Sequence, residues 1–239
     1  MLQTLEKILQ SQGFGSRRQC RQRILAAQVQ VDGHPCSDPE QRFDPAGLTL
    51  TVQGESLPVL PQIYLALNKP AGHECSRHPS HHASVLSLLP FYLQARGVQP
   101  VGRLDQDTTG LLLLTDDGQW LQRMTHPRRH VPRRYRLETR LPLTTAQCEQ
   151  LQQGVSLQGE RGCFAAHDLQ VLGPQEVAFS IHQGVYHQVK RMMAAVGNPL
   201  VRLHREQIGQ LVLTDLQLAE GAWQYLSPAQ QRLAQTGDT

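Results

Sequence analysis

Apolar positions change their spacing several times along the chain, and each change predicts an element. Leu5, Ile8 and Leu9 recur at helical spacing and mark one face of a short helix, which Gly13 and Gly15 break. Ser16 is a capping residue for a second helix over residues 17–27. Val29, Gln30 and Val31 alternate and run into Asp32-Gly33, a hairpin signal, and residues 48–52 alternate again as a strand. Pro58 and Pro61 then punctuate residues 57–61, which read as a linker because proline suits neither a helix interior nor a central strand.

Beyond that point helices and strands mix without strict alternation. Strands are expected over residues 63–67, 111–114, 135–139, 169–172, 177–181, 200–203 and 211–213. Helices are expected over residues 84–89, after Asp116 or Asp117, over 144–153, over 187–196 and after Ser227. This order predicts an α+β fold: a small N-terminal module over residues 1–60, then a mixed, mostly antiparallel sheet flanked by helices over 61–239.

Composition narrows the classes. No apolar run approaches the roughly 20 residues of a membrane span, and the N-terminus lacks the basic-then-apolar order of a signal peptide, so no membrane partner and a cytoplasmic location are expected. Five scattered cysteines without a CxxC pair argue for free thiols and against a zinc ribbon. The net charge is only +3, but it is clustered. Seven arginines lie between positions 123 and 140 against one acid, Glu138; Arg17, Arg18, Arg21 and Arg23 form a second group, and Lys190, Arg191, Arg202 and Arg205 a third. Such clusters, interleaved with Tyr135 and His126, point to nucleic acid.

The stretch Gly102-Arg-Leu-Asp105-Gln-Asp107-Thr-Thr-Gly110, followed by Leu111 to Leu114 and Thr115, is a glycine-bounded polar loop running into a buried strand. It holds a carboxylate on rigid support, or else Asp105 and Asp107 simply bond nearby amides in a turn. This stretch resembles the signature of pseudouridine synthases, specifically the RsuA-type ribosomal branch, in which the aspartate after Arg-Leu is catalytic; here that is Asp105 and not Asp107. Four further segments are similar to that family: Leu67-Asn-Lys69-Pro70, Arg134-Tyr135, the run from Gly184 to Asn198 with Leu203-His-Arg205-Glu206, and the N-terminal Gly15-Ser-Arg-Arg18 with Val29 to Gly33. The last of these resembles an α-L RNA-binding module, although Thr4 and Glu6 stand where that module usually shows Arg and Asp.

The resemblance implies isomerisation of a uridine in ribosomal RNA, in 16S rRNA of an assembling small subunit and at uridine 516, by a monomer that uses no cofactor, nucleotide or metal. It implies that Asp105 acts as an ionised carboxylate with Lys190 beside it, that Tyr135 stacks on the uracil, that Leu203 lines the pocket, and that Arg103 enters the space the base leaves. Arg17, Arg18, Arg21, Lys69, Arg128, Arg129, Arg191 and Arg205 are the expected RNA contacts. Two other readings stand beside it: a large-subunit synthase of the same family, and a catalytically silent assembly factor. Cys75, His78, His81 and His82 offer ligands at short spacing, but Pro79 and Ser80 make this a loop, and it is expected to meet RNA and hold no metal.

Overall fold

A computed structural model describes residues 1–237 and divides the chain into two compact units. The first comprises Met1–Ile63 together with Leu89–Gln99; the second comprises Tyr64–Leu88 and the chain from Pro100 onward.

In the first unit, helix Leu5–Ser11 buries Leu5, Ile8 and Leu9, as their spacing predicts. Helix Arg17–Leu25 opens on a full capping box: the Ser16 hydroxyl accepts from the Gln19 N–H, and the Gln19 side chain accepts from the Ser16 N–H. Four antiparallel strands follow in the spatial order His34–Pro35, Val29–Val31, Thr49–Val52, Glu55–Pro58. Residues 57 and 58 are therefore strand and not linker. Pro58 lies at the end of an edge strand opposite Thr49, where a missing N–H removes no ladder bond. Helix Phe91–Ala95, which the sequence pattern does not announce, also belongs here: Phe14 stacks on Tyr92 at 5.2 Å and meets Phe91 edge-on at 5.8 Å. Gly13, at φ +89°, permits this approach, since a Cβ there would collide with the Tyr92 carbonyl.

The second unit is built on a sheet whose main path runs His167–Gly173, Glu176–Ile181, Arg133–Thr139, Leu200–Ile208, Thr109–Thr115, Tyr64–Lys69, Trp223–Tyr225. Within this path only Thr109–Thr115 and Leu200–Ile208 run parallel, so the sheet is mostly antiparallel, as expected. Leu111 to Leu114 are fully buried, which explains why this strand reads as a continuous apolar run and not as an alternation. Helix Gly118–Thr125 starts at Asp117, whose carboxylate accepts from the Gln119 and Trp120 N–H groups. It presses Trp120 and Met124 onto Leu111, Leu113, Ile208 and Leu211, each such side chain contributing about 1.5–3 kcal/mol. Thr144 and Ser227 open helices Thr145–Gln153 and Pro228–Gln235 with capping boxes of their own. No helix among the described residues is long and apolar enough to cross a membrane.

Where the parallel pair begins, Gly110 stands at φ +104° against Arg205. Any side chain there would strike the Arg205 backbone, so the glycine sets how closely the two strands approach and where the loop before it emerges.

Candidate active site

The loop that carries Asp105 is secured from beneath by Lys69. This side chain is fully buried, and its ammonium donates to the carbonyls of Pro70 (3.0 Å), Gln106 (3.1 Å) and Thr108 (2.8 Å). The Gly72 N–H also donates to Gln106 O, and the Thr108 N–H closes a turn onto Asp105 O. Burial pushes the Lys69 ammonium below its ordinary value, a trend that Cys75, Asp107 and Asp105 oppose. Lys69 was expected on the RNA surface; the strand Tyr64–Lys69 instead delivers it inside, opposite Gly110, as an internal brace of the loop.

Asp105 itself is 28% exposed. Lys190 Nζ lies 3.0 Å from its Oδ2 and 2.6 Å from Asp107 Oδ1, so one cation bridges both carboxylates. Burial would raise the Asp107 carboxyl, but the Lys190 hydrogen bond and charge outweigh it and hold Asp107 below the usual carboxylate value. Burial would likewise lower Lys190; Asp107 and then Asp105 outweigh it, and the ammonium is held above its ordinary value. The other oxygen of Asp105 faces His187 Nε2 at 3.1 Å. His187 is the residue just before helix Gln188–Ala195 and Lys190 lies in its first turn, and both side chains reach Asp105. His187 escaped the sequence reading, because its left-handed backbone (φ +50°) places it in a way that no periodicity shows.

A cleft of about 630 Å³ opens above this group, within the usual range of roughly 300–1,000 Å³ for small-molecule sites. Arg103, Asp105, Tyr135, Lys190 and Leu203 all line it, together with Val131, Phe164, Ile181, Val185 and Arg205. Tyr135 pairs with Arg205, and Leu137 with Leu203, across strands Arg133–Thr139 and Leu200–Ile208, so alternation turns Tyr135, Leu203 and Arg205 to one face. Arg103 is exposed at the cleft, unlike buried Leu104, whose N–H is held by Cys75 Sγ at 3.4 Å.

Two more of the expected RNA contacts are placed otherwise. Arg205 is buried: its Nε donates to Leu111 O at 2.7 Å and its Nη1 to Tyr135 Oη at 3.5 Å, so it supports the cleft from below. Arg191 clamps a neighbouring loop, donating to Gln158 O, to Glu160 Oε1 at 3.2 Å and to Tyr186 O at 3.0 Å. Arg128 and Arg129 are exposed on the short turn Pro127–Arg129, where with Gln122, Arg123 and His126 they line a shallow hollow. In the first unit Arg17, Arg18 and Arg21 are exposed, with Arg17 and Arg21 both held by buried Glu6. In the histidine loop, Glu74 accepts from the N–H groups of Ser80, His81 and His82, which orders the backbone there.

Residues 63–195 match the RNA pseudouridylate synthase family, and residues 3–47 match the S4 domain. The chain is 39% identical over 231 residues to ribosomal small subunit pseudouridine synthase A of Yersinia pestis, covering 93% of this chain and 94% of that protein. It is 44% identical over 164 residues to the Escherichia coli protein of the same name, covering 69% of this chain and 70% of that one. A crystal structure of a pseudouridylate synthase superposes with a TM-score of 0.68 at 32% identity, over 97% of this chain and 99% of that one. The match over residues 63–195, the S4 match that precedes it in the sequence, and relatives of 39% and 44% identity show that the chain belongs to the RNA pseudouridylate synthase family.

Proposed function

We propose that this chain converts a uridine of ribosomal RNA to pseudouridine, that the RNA is 16S rRNA and the position uridine 516, and that Asp105 is the catalytic carboxylate. The observation that carries the reading is the Asp105 carboxylate itself, held by Lys190 and His187 in a cleft that also presents Tyr135 and Leu203. The small-subunit target follows the names of the Yersinia pestis and Escherichia coli relatives.

The reaction breaks the bond from C1′ to N1, joins C1′ to C5, moves a proton off C5 and puts one on N1. Atoms and electrons balance within the substrate, so no oxidant, reductant or co-substrate is consumed. The base must leave its stack before it turns, at a cost of a few kcal/mol. Arg103, exposed at the cleft, has a flat cation suited to the vacated space, and Tyr135 offers its ring to the extruded uracil over the apolar wall of Leu203. Asp105 then serves as an anion, whether it attacks C1′ or takes the C2′ proton, and Lys190 stabilises that anion in a partly desolvated site. The exposed arginines of both units supply phosphate contacts.

Mapping pseudouridines in rRNA from cells with and without the protein tests the whole reading. Loss of one modification at uridine 516 is the expected result. Loss at a site in 23S rRNA would overturn the small-subunit assignment, and an unchanged map would overturn the activity on rRNA.

A further inference from the structure

Tyr186 is the only tyrosine among the described residues that is mostly in water: 73% exposed, while Tyr92 and Tyr135 are buried and Tyr64 and Tyr225 are partly covered. Its ring lies nearly parallel to that of His187, with centroids 3.8 Å apart and planes at 18°, and His187 in turn touches Asp105. The segment is pinned: the Tyr186 carbonyl accepts from Arg191, and the Val185 N–H donates to the Gln188 side chain. Val185 and His187 line the cleft, whereas Tyr186 stands at its rim.

We infer that Tyr186 is a stacking platform for an unpaired nucleobase adjacent to the target uridine, with His187 as the second ring of a ladder that joins this platform to the catalytic carboxylate. The inference deepens the proposed function and rests on its reading of Asp105 and of an RNA substrate. Turning the target base into the cleft bends the strand at the cleft mouth, and with Arg103 in the vacated space an adjacent base is still left with one face unstacked. A fixed aromatic ring at that mouth covers that face, and it accepts any base because each base has a flat face. The ring is stacked in advance on His187 and the backbone beneath it is tied by Arg191, so little ordering remains to be done on binding. Arg161, exposed and lining the same cleft, is a cation suited to a neighbouring phosphate. The rim position separates the platform from Tyr135, whose ring is inside the cleft and available to the target base.

The test uses the full-length protein and short RNAs that carry the mapped uridine with 2-aminopurine placed on one side of it or the other. With wild-type protein, binding should quench 2-aminopurine on one side, because stacking on an aromatic ring quenches it. Tyr186→Ala should relieve that quenching and weaken RNA binding by about tenfold to a hundredfold, the range expected for one base–aromatic stack. The loss should fall on affinity more than on the single-turnover rate of bound RNA, and Tyr186→Phe and Tyr186→Trp should restore both quenching and affinity. Equal fluorescence and equal affinity for wild type and Tyr186→Ala would overturn the platform. So would failure of both aromatic variants to rescue a correctly folded Tyr186→Ala defect. Asp105→Asn separates the two ideas: it should abolish pseudouridine formation while keeping the Tyr186-dependent quenching. If Asp105→Asn turned over while the quenching persisted, the catalytic assignment would fail and the platform would stand.

Discussion

Glu6 lies between Arg17 and Arg21, and Asp105 lies between His187 and Lys190, but the two groups share their exposure differently. Glu6 is 1% exposed and its arginines 71% and 48%, so the acid is the anchor and the cations are on display. Asp105 and Lys190 are exposed almost equally, at 28% and 27%, and both line the cleft. The same elementary pair thus leaves its cations in water in one unit and shares a cleft wall between carboxylate and cation in the other. What differs is whether burial removes one partner from water or covers both alike. The Glu6 carboxyl is held below its ordinary value first by its hydrogen bond to Arg17 and then, against desolvation, by Arg21.

Substitutions in the catalytic group should produce the largest effects. Asp105→Asn keeps the shape of the side chain and deletes its charge; single-turnover conversion should drop by about 10⁴-fold or more, with RNA affinity nearly unchanged. Lys190→Met should lose about 10²-fold, the scale of one removed electrostatic contact, and Asp107→Asn should stay within about tenfold of wild type. Equal losses in Asp105→Asn and Asp107→Asn would mean that the bridging lysine, and not Asp105, defines the site.

Intermediate effects are expected at the other carboxylate, and on stability alone. Glu6→Gln should lower the stability of the folded chain by about 1–3 kcal/mol, as for hydrogen bonds to a charged group. Because the folded-state value of Glu6 is depressed, its contribution is present above the unfolded carboxylate value near 4.5 and fades as pH falls through the lower folded value. Denaturant titrations from neutral to acid pH should show this dependence in wild type and lose it in Glu6→Gln. An identical acid profile in both proteins would remove Glu6 as the anchor.

The smallest effects should come from single surface cations. Arg18→Ala should reduce the slope of log affinity against log salt by about 0.7–0.9, as for one phosphate contact. Lys69→Met should leave that slope alone and instead destabilise the fold, because three carbonyls lose their donor. A change of salt slope in Lys69→Met would contradict its internal placement.

Much of this was legible in the chain. Ser16, Thr144 and Ser227 announce their helices, since capping chemistry is local, and Leu111 to Leu114 announce a buried strand. The family resemblance, not periodicity, singled out Asp105 from Asp107. What failed was the inference from basic residue to RNA contact: Lys69 and Arg205 are turned inward by strand register, and Arg191 by a loop more than thirty residues away in sequence. Helix Phe91–Ala95 and strand Trp223–Tyr225 are too short to show a period. Pro58 misled because an edge strand tolerates what a central one does not.

The scarcity of lysine gives the chain a built-in set of covalent reporters. Its three lysines are Lys7, exposed on the first helix, Lys69, sealed under carbonyls, and Lys190, drawn toward two carboxylates. An amine-acylating reagent must reach the amine, so exposed Lys7 should react and serve as the internal standard. Lys69 should stay silent until the fold opens. Lys190 should react slowly, faster when Asp107 is replaced, and least of all when RNA fills the cleft, so the ratio of the Lys190 adduct to the Lys7 adduct becomes a direct measure of site occupancy by mass spectrometry.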